Sequence, residues 1–284
     1  MSAGAKGTVV AVVCGIALSG CGPRISPREA ETGLKPGQEA AIPVGPDYRI
    51  DKANAFPSIG LDLPAPDGIP GVDAAETAAA KAPNSASAVL NVGYAYYAAS
   101  AYPQSAEQFA HAATLAPGDA APRLYEGLAQ MGAGHLDAAA DALTRVTQLK
   151  GVPTHTLGIA YAQIGRCRFQ QHRDDAAKAA FLQSLAVDPH QGQASLGLGA
   201  YAALAGDIRG ARKRFTIAAQ DLPPGRQRAL AFASLGRLEE NVLDRRAALA
   251  AYRRALTENP DSTVAREALA RLAVGAKPAA KGGA

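Results

Sequence analysis

The chain has 284 residues, 48% of them hydrophobic and 19% charged, with 5% aromatic residues and no Trp. The small net charge of +4 and the shortage of aromatic stacking platforms argue against a nucleic-acid binder. A core rich in Ala and Gly suits close helix-on-helix contact better than a β-sandwich, which favours β-branched and aromatic residues. The three cysteines, Cys14, Cys21 and Cys167, have neither metal-ligand spacing nor the pattern of a disulfide framework.

The N-terminus reads as an address. Lys6 supplies a positive start, and Thr8 to Leu18 is an 11-residue apolar run. That length fits a signal-peptide core and falls short of the roughly 20 residues of a membrane span. Leu18-Ser19-Gly20-Cys21 then resembles the lipobox of bacterial lipoproteins, which implies a lipid on Cys21 after removal of residues 1–20. The bland alternative is an ordinary cleaved leader with an incidental Cys. Gly22 and Pro23 follow with no Asp, which by the same resemblance implies an outer-membrane anchor facing the periplasm. Several acyl chains, at about 0.8 kcal/mol per buried CH₂, hold such an anchor permanently. Cys167 is then the one thiol left in the mature chain, expected to be a buried small hydrophobe.

Residues 21–83 read as a lipid-bearing Cys and a tether. Nine prolines lie between Gly22 and Gly71, and the stretch as a whole shows no helical or strand period. Tyr48, Ile50, Phe56, Ile59 and Leu61 are apolar for a pure linker, so docking back on the folded part stays open. Ala74 to Ala82 is a helix former ahead of Pro83, which predicts a short leading helix.

From Asn84 onward the sequence repeats. Pro117, Gly151, Pro189, Pro223 and Pro260 close successive stretches at intervals of 34, 38, 34 and 37 residues. This is a 34-residue period with insertions at Thr154 to Leu157 and Arg226 to Arg228, between units. The units are 86–119, 120–153, 158–191, 192–225 and 229–262, followed by a cap at 263–274 and a disordered tail at 275–284. Each carries a Gly in its first half: Gly93, Gly127, Gly165, Gly199 and Gly236. Each carries a large residue in its second half: Phe109, Leu143, Phe181, Phe215 and Tyr252. Ser105, Ala139, Ala177, Ala211 and Ala248 are small where two helices of a unit cross.

With these residues in register, the sequence resembles the tetratricopeptide repeat (TPR) family. The resemblance implies an all-α, right-handed superhelical solenoid of about five helix pairs plus a C-terminal capping helix. Departures fall in the middle: Glu126 replaces an apolar residue, Arg168 an aromatic one and His172 the turn Gly, with Phe169 placed to compensate for Arg168.

No catalytic constellation is visible. The five His are scattered, there is no phosphate loop or nucleophile elbow, and Gly197, Gly199 and Ala202 match a dinucleotide fingerprint only inside a helical pattern. The reading is a non-enzyme with no cofactor and no metal. The resemblance instead implies a concave groove lined by first helices. Its candidates are Leu90, Asn91, Tyr94 and Tyr97; then Leu124, Tyr125, Leu128 and Met131; then Gln163, Arg166, Phe169 and Gln170; then Leu196, Gly197, Ala200 and Ala203; and Ser234, Arg237, Glu240 and Asn241. Tyr94, Tyr97 and Tyr125 either meet a protein or peptide partner or pack against the tether or the leading helix. The basic runs Arg209 to Arg214 and Arg245 to Arg254 read as a solvated face, or as a contact for lipid headgroups or an acidic partner. The plan resembles the repeat-containing lipoproteins that assist Tad-type and type IV pilus assembly, implying a protein-binding scaffold; adaptors that recruit an envelope protease or peptidoglycan hydrolase share it. An enzyme subunit and a self-associating structural protein are the contrasting classes.

Overall fold

The computed structural model describes residues 65–274. The leader, the lipidation position Cys21, most of the tether and the tail at 275–284 lie outside the described residues. Among those described there are twelve helices and no strand. They are α1 (Val72–Lys81), α2 (Ala86–Ala98), α3 (Tyr102–Leu115), α4 (Ala120–Gly132), α5 (Leu136–Gln148) and α6 (Thr154–Gln170). Then come α7 (Asp174–Val187), α8 (Gly192–Leu204), α9 (Ile208–Asp221), α10 (Arg226–Asn241), α11 (Arg245–Glu258) and α12 (Thr263–Val274).

Local sequence sets these boundaries. Ser85, Asp119, Asp207 and Asp244 cap α2, α4, α9 and α11 by accepting a bond from a backbone N–H of the first turn. Pro117, Pro189, Pro223 and Pro260 each follow a second helix within two residues, where a missing N–H forbids further helix. The link from first to second helix is the same in all five pairs. Ser100, Gly134, His172, Gly206 and Leu243 take left-handed backbone there. In each, the next N–H reaches back five residues to a helix carbonyl, as in Ala101 to Tyr96 and Asp244 to Glu239, both 2.9 Å. His172 therefore performs the turn that Gly134 and Gly206 perform elsewhere, at the steric cost of a Cβ in that region.

Inside each pair a bulky side chain of the second helix presses on the Gly of the first. A Cβ on Gly93 would lie 2.6 Å from the Phe109 ring, and one on Gly236 would lie 2.7 Å from that of Tyr252. Gly127, Gly165 and Gly199 meet Leu143, Phe181 and Phe215 in the same way. Phe181 is held from both sides, since Gly197 of the next first helix touches it too. Ser105 and Ser184 satisfy their buried hydroxyls by donating to Gly93 and Gly158 carbonyls, at 2.9 and 2.7 Å. The pairs stack in chain order, with α1 on α2 and α12 on α11. Across units the first helices (α4 with α6, α6 with α8, α8 with α10) come closer together than the second helices do. The first-helix side is thus the inner, concave side of a solenoid.

The two insertions are helical. Thr154 to Leu157 form the opening turn of α6, where His155 bonds Asp188 at 2.9 Å and Gly158 packs on the Asp188 Cβ. Arg226 to Arg228 open α10, and the Arg228 guanidinium donates twice to the Leu222 carbonyl, at 2.9 and 2.7 Å. In the irregular middle, Arg168 donates to Gln171, whose amide reaches Asp137 of α5 at 2.8 Å. Phe169 turns the other way, edge-on to Tyr201 of the next unit at 5.8 Å. Arg168 is thus answered by a polar clasp, and Phe169 serves the following interface.

Candidate functional site: the concave face

The first two units bring most of their groove candidates into one cluster. Tyr94, Tyr97 and Leu128 are buried with Phe109, Ala106 and Ala129, and Leu90, Tyr125 and Met131 pack on them half-buried. The rings meet edge to face: Tyr94 to Tyr125 at 4.7 Å, Tyr94 to Phe109 at 5.2 Å and Tyr97 to Tyr125 at 5.8 Å. Burial pushes the Tyr94 and Tyr125 hydroxyls above the ordinary phenol range. Tyr94 and Tyr97 retain only 6% and 7% of their exposure. Ala65 and Ile69, the chain leading into α1, are part of what packs on this cluster. Asn91 is exposed, one helical turn before Ala95. Leu124 packs inside its own pair, with Ala139, Leu143 and Val146 of α5.

The middle of the face is polar beneath its rim. Gln163 of α6 donates to Gln193 of α8 at 2.6 Å, and Gln193 donates to Gln227 of α10 at 3.1 Å. Arg166, with only 5% exposure, donates to the Gln163 oxygen at 2.8 Å. This amide ladder crosses three first helices and ties their spacing. Gln193 and Gln227 went unmarked in the sequence, although they are 34 residues apart, one full period. Gln163 escapes that register, because it precedes Gln193 by 30.

Farther along, the placement differs from the repeat template. Gly197 contacts Phe181 and not the groove. Leu196 and Ala200 are buried among α9 and α10 side chains, while Ala203 is half-buried. Glu240 turns from the axis to accept from Tyr252 at 2.5 Å and from Arg271 at 2.8 Å, which fastens α12 to the fifth pair. Arg237 is half-buried, Ser234 buried, and Gln170 and Asn241 exposed.

The outer face holds both basic runs, and part of each is internally engaged. Arg212 grips Glu239 through two bonds of 2.6 and 2.7 Å, Arg245 donates to the Leu272 carbonyl, and Arg254 lies over the Phe232 ring. Arg209, Lys213, Arg246 and Arg253 are exposed. Among the described residues no three His, Cys, Asp or Glu side chains converge as a metal would need, and no helix is long and apolar enough to cross a membrane. Cys167 is buried, and that burial raises its thiol to about 11.

No family model and no curated protein matches the sequence. Solved structures do match. The chain is similar to a Cut9-Hcn1 hetero-tetramer of the APC/C, with a TM-score of 0.62 at 18% identity, covering 72% of this chain. It spans 39% of that chain's length. It is similar to PilW, described as a widely conserved type IV pilus biogenesis factor, with a TM-score of 0.56 at 20% identity, over 69% of this chain and 88% of that one. A thermophilic TPR protein of Thermus thermophilus matches with a TM-score of 0.51 at 20% identity, over 67% of this chain and all of the other. At these identities the likeness is one of fold, and with the repeated Gly-and-knob pairs above it establishes that the chain folds as a TPR solenoid.

Proposed function

We propose that the chain is a protein-binding scaffold, lipid-anchored through Cys21 at the outer membrane and facing the periplasm, which assists assembly of a pilus or secretion apparatus. The observation that carries the binding role is the concave face, where first helices lie side by side and gather an aromatic cluster, exposed Asn91 and a polar ladder. A face of this kind holds an extended or helical segment of another protein. The pilus assignment is supported by the lipobox-like Cys21 together with the fold likeness to PilW. The chain does no chemistry of its own in this reading.

The reading is tested by capturing the tagged chain from detergent-solubilised membranes and identifying its companions. Pilus or secretin subunits are expected, and Cys21→Ser should move the chain from the membrane to the soluble fraction. Recovery of a protease or peptidoglycan hydrolase instead would assign the adaptor role, and hydrolysis by the purified chain alone would overturn the scaffold.

A further inference from the structure

We propose that the concave groove is occupied in cis by residues 48–64 of the same chain, so that a partner must displace them to bind. The inference rests on the groove, not on the identity of any partner. Its first support is where the described chain begins. Ala65 already packs on the Tyr94–Tyr97 cluster, and Ile69 packs beside it. The residues just before Ala65 therefore start at the groove's first unit.

The second support is burial along the groove floor. Arg166 of α6 and Gln193 of α8, polar side chains of successive first helices, keep only 5% and 9% of their exposure. Helix α8 is buried on nearly every side, nine of its thirteen residues included. A first helix of a solenoid has neighbours beside and behind it, and its inner side meets water unless something lies there.

The third support is chemical fit. Residues 48–64 carry Tyr48, Ile50 and Phe56, and Ile59, Leu61 and Leu63 alternate with Gly60 and Asp62 up to Pro64. Alternation puts apolar side chains on one side of an extended strand. Asp62 matches the positive charge that Arg166 and Arg237 place on the floor. Seventeen extended residues reach about 55 Å, more than the roughly 40 Å across five first helices at about 10 Å spacing.

The test uses the purified full-length chain, without any partner, carrying a photo-crosslinker at Ala203. The expected result is an adduct within one molecule, mapping to residues 48–64. Loss of that adduct and faster amide exchange in α8 are expected in the Phe56→Asp, Ile59→Asp double variant. Far-UV circular dichroism unchanged from the parent shows that the solenoid stays folded. Adducts only to another copy or to other elements, or α8 exchange unmoved by the double variant, would overturn the proposal. Capture of a partner by a chain that gives no such adduct would sink the cis segment and leave the scaffold reading standing.

Discussion

The first and fifth helix pairs share a socket and are sealed in opposite ways. Phe109 on Gly93 and Tyr252 on Gly236 occupy the same place in the unit, and both are fully buried. Around Phe109 the seal is aromatic, a pile of tyrosines with Ala65 and Ile69 on it. Around Tyr252 it is ionic, with Glu240 accepting from the Tyr252 hydroxyl and from Arg271 of the cap, and Arg212 gripping Glu239 beside it. The difference teaches that the repeat prescribes only contacts inside a pair. What lies outside the pair is set by local chemistry, and that outer chemistry distinguishes the groove end from the cap end.

The comparison breaks most severely at the shared socket. Phe109→Ala and Tyr252→Ala each remove a buried ring from a glycine-lined site, and each should cost about 3–5 kcal/mol by urea unfolding. A large effect in one pair alone would show that the sockets are not equivalent. The seals separate at the next level. Glu240→Ala removes the carboxylate that accepts from the Tyr252 hydroxyl and from Arg271, and should cost about 1–3 kcal/mol. Amide exchange should quicken in α12 while α2 and α3 stay unchanged, and salt should weaken the parent's cap but not its aromatic end.

Smaller effects test the turns and the middle. Leu243 is 55% exposed and sits in left-handed backbone, so Leu243→Gly relieves strain with little loss of burial. A gain of about 0.5–1 kcal/mol in thermal unfolding is expected, after the entropy of the added Gly. Burial raises the Glu126 carboxyl above its ordinary 4.5, with Arg145 and Arg123 opposing. Ionising it therefore favours the unfolded chain, and its contribution to stability is lost as pH rises from about that value. Glu126→Gln should flatten this part of the pH profile and be the more stable protein at pH 7. The Cys167 thiol, raised to about 11, should react with a disulfide reagent at pH 8 only at the rate of unfolding. Fast reaction in the native protein would contradict its burial.

Much of the architecture was legible because it is written every 34 residues. The Gly-and-knob pairs, the small crossing residues and the prolines that end second helices recur as sequence, and each recurrence has one packing role. The opening turns of α6 and α10 were less legible. Thr154 to Leu157 and Arg226 to Arg228 read as material between units, since their helical state depends on docking to Asp188 and to the Leu222 carbonyl. The groove was legible in place but not in state. Register put Tyr94, Tyr97 and Glu240 on the inner side. Whether such residues meet solvent depends on what covers the tyrosines and how far a carboxylate reaches, and neither follows from spacing.

The central claim is that the concave face is the working surface. We would place a photo-crosslinker at exposed Asn91, and separately at exposed Lys213 on the outer face, and compare adducts in living cells. The account predicts that Asn91 captures an envelope protein, in competition with the chain's own residues 48–64, while Lys213 does not. A partner captured at Lys213 and never at Asn91 would contradict it and transfer the function to the basic outer face.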